Sequence, residues 1–429
     1  MIRNTRKTGV NLLLAVEVLV LVAVLVLGVF YGAAGWLRKN NNSNPNINVD
    51  NNLNDNNDDQ DDDKNNQTGT PVVIPEDYTE GRITFSNSVE EVLATMTVEQ
   101  MVAQLFIVTP EALTGVSVAT VFGNASKTAF DTYPVGGLVY SKINFQSEEQ
   151  ATALVRQAKE YYLEKYGVEL FTIIEEEGGE LYSPYAAALG KDTGMLASEL
   201  AALNNVDLIK QSAEFRAAYL LSGEFNVNFS TIGDVASTIE SDYEKRTFGT
   251  SVETVADFVA ADITAMEAAG VASTLKYFPG KANAQKMENG ILFSTESLEA
   301  LTNGSLLAFQ TGIDAGASFV MIGNVIIPSI TDDSVTPCSL SVRTVALLRE
   351  TMGFTGVIVT DSFSDVKFNE VYGNGDACIA AINAGVDMIY MPFDFVQAYE
   401  AVLEAVNNGD ISADRLHNAV GRILTEKGL

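Results

Sequence analysis

Histidine and cysteine are scarce in this chain of 429 residues. The only histidine is His417, and the only cysteines are Cys338 and Cys378. A single histidine nearly excludes histidine-dependent metal sites and Ser-His-Asp catalysis. Two cysteines form no disulfide framework, and we expect them to be buried free thiols. We therefore predict neither a metal site nor a cofactor.

Positive charge is also scarce. Lysine and arginine number 26 against 56 aspartate and glutamate residues, which gives a net charge of −30. Such an excess of negative charge argues against binding nucleic acid or anionic lipid through a charged surface. It suits an extracellular domain whose ligands are neutral or cationic.

One long apolar run stands near the N-terminus. It extends from Leu12 to Trp36 and is interrupted only by Glu17. Its length suits a bilayer, so residues 10–37 are predicted to be a transmembrane signal-anchor. The basic residues that precede it favour a cytoplasmic tail at 1–9 and an extracellular remainder. Cleavage near Tyr31 is the alternative. The prediction is a single-pass protein of the cell membrane, at a bacterial cell surface.

The next segment, residues 38–75, is rich in asparagine and aspartate. It cannot bury enough apolar surface to offset chain entropy, so it is predicted to be a disordered linker. Its most acidic part, Asp61–Asp63, lacks the glycine and terminal glutamate of a calcium loop, which favours a solvated spacer.

Residues 76–429 carry eight short apolar runs, most of them connected by amphipathic helical sequence. Helix start signals occur at Ser147, Ser251, Ser294, Ser341 and Ser412. Continuous apolar runs at this spacing are typical of parallel strands covered on both faces. The pattern predicts an α/β fold, a TIM (β/α)8 barrel. The runs are Leu105–Val108, Gly136–Tyr140, Phe171–Ile174, Phe225–Phe229, Val271–Leu275, Phe319–Ile322, Gly356–Thr360 and Val386–Met391.

Polar residues follow several of these runs, and in a closed barrel they would converge on the C-terminal face, where barrel enzymes keep their active sites. They are Glu175, Glu177, Asp234, Lys276, Asn324 and Asp361.

The strand ends, taken in order over about Met96 to Lys427, resemble glycoside hydrolase family 3, in its single-barrel β-N-acetylhexosaminidase branch. The similar segments are Met96–Phe106, Glu175-Glu-Glu-Gly-Gly, Lys245-Arg-Thr-Phe-Gly, Leu275-Lys-Tyr-Phe-Pro-Gly, Gly356-Val-Ile-Val-Thr-Asp-Ser and Ala384-Gly-Val-Asp-Met. Each segment alone is a weak signal, but six in order at barrel spacing indicate the family strongly.

The resemblance implies that Asp361 is the nucleophile of a retaining glycosidase, for which the alternative is a helix-capping aspartate. It implies that Lys276 and Arg246 bind sugar, and the alternative is a salt bridge at the barrel rim. Asp234 resembles an aspartate near the family's sugar site.

This sequence departs from the family at several of these positions. The family carries its general acid/base as a histidine, paired with an aspartate, on the loop after Lys-His-Phe-Pro-Gly, and residues 281–291 contain neither. Tyr277 and Asn324 replace histidines, and Glu175 replaces an aspartate, at positions that contact sugar. Aligning the loop on its Gly-Ile end places Glu288 where the catalytic histidine belongs, so Glu288 is a candidate acid/base.

Two functions therefore follow from the sequence. The first is a glycoside hydrolase that cleaves a β-linked amino sugar, such as N-acetylglucosamine in cell-wall glycan, by a retaining mechanism. The second is a catalytically inactive barrel that binds glycan or acts as a scaffold at the cell surface. The altered pocket also allows a different sugar. The sequence leaves the oligomeric state open.

Overall fold

A computed structural model of the chain describes residues 72–76 and 78–429. The predicted cytoplasmic tail, the predicted membrane anchor and the linker up to residue 71 lie outside the described residues. Within the described ranges, no helix combines the length and hydropathy that crossing a membrane requires.

The central element is a parallel sheet of eight strands. A bridge between Val359 and Met388 joins the two ends, because the Thr360 N–H donates to the Met388 carbonyl at 3.1 Å. The sheet is thus a nearly closed barrel, and the predicted α/β barrel is confirmed for the part of the chain that the structure describes. Its strands are β1 Phe106–Val108, β2 Gly137–Val139, β3 Phe171–Ile174, β4 Val227–Asn228, β5 Ala272–Phe278, β8 Phe319–Ile322, β10 Val357–Thr360 and β11 Ile389–Tyr390. Their order in the sheet is β10-β8-β5-β4-β3-β2-β1-β11.

Aromatic side chains fill the barrel interior. The rings of Phe171 and Phe319 lie edge to face with centroids 5.2 Å apart, although their strands are not neighbours in the sheet. Phe229 and Tyr390 form a second such pair at 5.3 Å. The interior is therefore a packed core, and only the strand ends are left to form a site.

Helices surround the barrel, and serine caps start several of them where the sequence predicts. Ser147, Ser251 and Ser412 each accept a backbone N–H in the first turn of the helix that follows. The helices are α1 Asn87–Thr95, α2 Val98–Gln104, α3 Pro110–Thr114, α4 Asn124–Thr132, α5 Glu148–Tyr166, α6 Pro184–Ala188, α7 Ala197–Ala202, α8 Val206–Ser222, α9 Val252–Ala268, α10 Leu298–Thr302, α11 Ser305–Asp314, α12 Pro328–Thr331, α13 Val342–Ala346, α14 Val366–Tyr372, α15 Asn374–Ala384, α16 Phe395–Asn408 and α17 Ala413–Glu426.

The segment after β5 differs from the expected loop and helix. β6 Gln285–Lys286 pairs antiparallel with β7 Leu292–Phe293, and β7 pairs parallel with β9 Val325–Ile326. The expected helix start at Ser294 is wrong, because the Ser294 N–H donates to the Ile326 carbonyl at 2.9 Å and continues this small sheet. The helix starts after Ser297, which caps it.

Both cysteines are buried free thiols, as expected. Burial raises the pKa of the Cys338 thiol to about 12. Burial raises the pKa of the Cys378 thiol as well, so neither thiol is ionised near neutral pH.

Candidate active site

A cleft of about 490 Å³ opens at the C-terminal ends of the strands. This volume suits a small ligand. Of the residues predicted at the strand ends or in the sugar site, it brings together Glu175, Glu177, Arg246, Tyr277 and Asp361. The other polar and aromatic residues in its lining are Thr109, Tyr140, Ser141, Tyr182, Ser362 and Tyr390.

Asp361 follows the last residue of β10, and both of its carboxylate oxygens are held. Its backbone N–H donates to the Ile322 carbonyl at 2.7 Å, which continues the pairing of β10 with β8. Oδ1 accepts the Ser362 N–H at 2.9 Å, and Oδ2 accepts Lys281 Nζ at 2.8 Å. The helix-capping alternative does not apply, because Asp365 caps the next helix. Asp361 thus presents an oriented carboxylate to the cleft.

Glu177 joins the two predicted sugar-binding cations. It accepts Lys276 Nζ at 2.6 Å and, with both oxygens, Arg246 at 2.6 Å. Burial alone would raise the pKa of Glu177, but Lys276 and Arg246 outweigh burial and lower it to about 2. Lys276 and Arg246 therefore form a salt bridge with Glu177, as the alternative to sugar binding predicts. Lys276 is fully buried, whereas Arg246 stays in the cleft lining with its guanidinium 4.7 Å from the Tyr182 ring.

Glu175 is the most accessible carboxylate of the cleft. Its side chain is 35% exposed; Oε1 accepts the Tyr390 hydroxyl at 2.5 Å, and Oε2 lies 3.5 Å from Lys276 Nζ. A carboxylate fixed in this way still has lone pairs directed to the cleft, and these can accept hydroxyl groups of a sugar. Tyr390 is absent from the sequence prediction, since the apolar run around it indicates only a strand. Its position at the strand end is the signal that could have found it.

Lys281 is the second residue that the sequence prediction missed. It follows the turn at Pro279–Gly280, where Gly280 has a φ of 125°, and this turn brings the lysine back over β5. Its Nζ lies 3.2 Å from the centroid of the Tyr277 ring and 2.8 Å from Asp361. Its place directly after the strand-end turn was the available signal.

Asp234 holds this turn through hydrogen bonds and does not line the cleft. Its Oδ2 accepts the Lys281 backbone N–H at 2.7 Å and the Tyr243 hydroxyl at 2.6 Å. Burial raises the pKa of Asp234 to about 6. Asp234 is therefore a candidate for positioning Lys281, and the predicted sugar contact has no support from its place in the structure.

Asn324 and Glu288 also lie away from the cleft lining. The Asn324 amide donates to the Ser362 carbonyl at 2.8 Å and accepts the Ser339 hydroxyl at 2.7 Å, so it fixes the segment after Asp361. Glu288 is exposed in the turn between β6 and β7. Its predicted role as acid/base stays a prediction without a supporting contact.

The described residues also contain no group of three or more histidine, cysteine, aspartate or glutamate side chains arranged to hold a metal ion. The polar groups that the cleft lining presents are carboxylates, the Arg246 guanidinium and the hydroxyls of tyrosine, serine and threonine.

The profile of the glycosyl hydrolase family 3 N terminal domain matches residues 97–426. The chain belongs to this family. Similar curated proteins include the beta-hexosaminidase LpqI of Mycobacterium bovis, 28% identical over 267 residues that cover 59% of this chain and 67% of that protein. The beta-N-acetylglucosaminidase/beta-glucosidase of Cellulomonas fimi is 26% identical over 53% of this chain and 42% of that protein.

A solved family 3 structure has the same fold. The beta-N-acetylglucosaminidase from Paenibacillus sp. str. FPU-7 aligns with a TM-score of 0.70 and 26% identity, covering 78% of this chain and 62% of that one. The family 3 resemblance is thus confirmed, and a glycoside hydrolase family agrees with the predicted enzyme class. Because the alignment covers less than half of the Cellulomonas protein, the activity of that whole protein does not pass to this chain.

Proposed function

We propose that this protein hydrolyses O-glycosyl bonds of a β-linked amino sugar, N-acetylglucosamine in cell-wall glycan, by a retaining mechanism. The observation that carries the proposal is the Asp361 carboxylate, which opens on the cleft and is oriented by Ser362 and Lys281. The names of the relatives, a beta-hexosaminidase and beta-N-acetylglucosaminidases, support the choice of an amino sugar.

The cleft offers the groups that such a reaction needs. A carboxylate beside the anomeric carbon forms a glycosyl ester and stabilises the positive charge that develops on the sugar ring. Asp361 is that carboxylate, and the Lys281 ammonium pairs with its Oδ2 at 2.8 Å. Glu175 and Arg246 line the same cleft and can bind the hydroxyl or N-acyl groups of the sugar. These contacts would fix the anomeric carbon in line with Asp361.

A second candidate function is glycan binding without catalysis. It is favoured by one observation: segment 281–291, which the structure describes throughout, places no carboxylate in the cleft lining. The groups expected to bind sugar would be the same under this alternative. Only turnover separates the two candidates.

The test is hydrolysis of 4-nitrophenyl β-N-acetylglucosaminide and 4-nitrophenyl β-glucoside by the full chain. These leaving groups need little acid assistance, so they report on the nucleophile. We expect turnover by the wild type and a loss of roughly a thousand-fold or more in Asp361→Asn, because asparagine cannot form the ester. Asp365→Asn is the matched control, since asparagine caps a helix as well as aspartate and activity should not change.

The contrary result is a wild type that hydrolyses neither compound while it binds N-acetylglucosamine. That result would replace the hydrolase with the glycan-binding protein.

A further inference from the structure

Lys281 is in contact with the carboxylate that carries the proposed reaction. Its side chain is 14% exposed, and its ammonium lies between Asp361 Oδ2 at 2.8 Å and the face of the Tyr277 ring at 3.2 Å. Within the described residues, the carboxyl groups in the cleft lining are those of Glu175, Glu177 and Asp361. None of these three is free to act as a separate acid at the bond that breaks.

The contacts of Glu177 and Glu175 make each of them a hydrogen-bond acceptor. Glu177 is locked between Lys276 and Arg246, and its lowered pKa, about 2, leaves it without a proton to donate. Glu175 accepts the Tyr390 hydroxyl and lies beside Lys276, so it also serves as an acceptor. Lys281 is the proton-bearing group that touches Asp361 itself.

We propose that Lys281 is the general acid and base of the reaction, in place of the histidine and aspartate that the loop lacks. The proposal rests on the proposed hydrolase function and deepens it. Lys281 does not itself line the cleft, but its ammonium contacts two residues that do, Asp361 and Tyr277. Its stem is flexible, so Nζ can move past Asp361 to a glycosidic oxygen held at hydrogen-bonding distance, about 3 Å.

The acidity of the Lys281 ammonium depends on the charge of Asp361. Three groups face the Lys281 ammonium: Asp361 after β10, Tyr277 at the end of β5 and Tyr243 after β4. Asp234, also after β4, accepts the Lys281 backbone N–H and adds a negative charge nearby. Burial lowers the pKa of Lys281, but Asp361 foremost, with Tyr277 and Asp234, raises it above its usual value. When Asp361 becomes a neutral ester, its contribution disappears and the ammonium becomes a stronger acid.

In the first step, an oxygen of Asp361 attacks the anomeric carbon, and the bond to the leaving oxygen breaks with its electron pair. The leaving oxygen takes a proton from Lys281 Nζ, which keeps a lone pair as a neutral amine. In the second step, a water oxygen attacks the anomeric carbon and gives its proton to Nζ. The ester bond breaks, its electrons return to Asp361, and the original ion pair is restored.

The test measures how fast the full chain hydrolyses substrates with different leaving groups. The substrates are aryl β-N-acetylglucosaminides, from dinitrophenyl to phenyl, and chitobiose. Lys281→Arg keeps the ion pair but cannot release a proton. We expect it to retain dinitrophenyl turnover within about tenfold and to lose about 10²-fold or more on phenyl leaving groups and chitobiose. Lys286→Arg, an exposed lysine on β6, is the matched control and should follow the wild type on every substrate.

Lys281→Ala gives a second measurement, because small primary amines can occupy the space of the missing side chain. We expect added ethylamine to restore phenyl glycoside turnover in this variant. An equal loss of turnover for all leaving groups, or no rescue by ethylamine, would overturn the role of Lys281. The proposed hydrolase function would be unaffected by that result. A wild type that hydrolyses none of the substrates would instead contradict the proposed function.

Discussion

Single side chains in the cleft are held by paired charges and buried hydrogen bonds. Lys276 and Arg246 share Glu177, and Lys281 pairs with Asp361. A buried ion pair contributes little net stability, but loss of one partner leaves an uncompensated charge that is costly. These residues therefore fix the geometry of the cleft, and removal of any one of them leaves the charge of its partner uncompensated.

Asp234 is the exception, because no cationic side chain pairs directly with it in the described residues. Burial raises its pKa from 3.8 to about 6, so the folded state favours the protonated form. The stability that comes from this group is full below pH 4 and is lost as the pH rises to about 6. At neutral pH the ionised carboxylate then destabilises the fold by up to about 3 kcal/mol.

Asp234→Asn should remove this pH dependence, because asparagine resembles the neutral acid. We expect the variant to gain up to about 3 kcal/mol in unfolding free energy over the wild type at pH 7 and nothing at pH 4. Denaturant unfolding across this pH range measures the difference. A difference that stays constant with pH, or falls as pH rises, would show that Asp234 is not a buried acid with a raised pKa.

At the scale of elements, the barrel strands could be predicted because each is a continuous apolar run. Phe171–Ile174 and Phe319–Ile322 match the predicted runs residue for residue, and the serine caps of α5, α9 and α17 mark their starts. Both signals are local. They depend on burial at every position of a strand and on side-chain hydrogen bonds within one helical turn.

The β6–β7 hairpin could not be predicted in the same way, since it depends on contacts that are distant in the sequence. β7 pairs with β9, which follows the next barrel strand, and Gly290 in the turn packs against Lys367 of α14. These contacts leave Glu288 exposed, although the sequence pattern made it a candidate acid. Lys281 and Tyr390 lie at strand ends, which the sequence indicates. Their contacts with Asp361 and Glu175 appear only when β5, β10 and β11 are brought together.

At the scale of the whole molecule, the predicted position of the barrel outside the cell rests on sequence alone. The apolar run Leu12–Trp36 and its preceding basic residues predict an anchor with the barrel outside the cell. Protease added to intact cells should then remove the barrel and leave a short membrane fragment. Recovery of an intact barrel inside protease-treated cells would contradict this topology.

The central claim for the molecule is that Asp361 forms a covalent bond to a sugar in a family 3 barrel. The most direct measurement is mass spectrometry of the full chain, quenched with acid during turnover of 2,4-dinitrophenyl β-N-acetylglucosaminide and then digested. We predict one added N-acetylglucosaminyl group on the peptide that contains Asp361, and no addition in Asp361→Asn. Turnover with the sugar on a different residue, or with no covalent sugar at any quench time, would contradict the account.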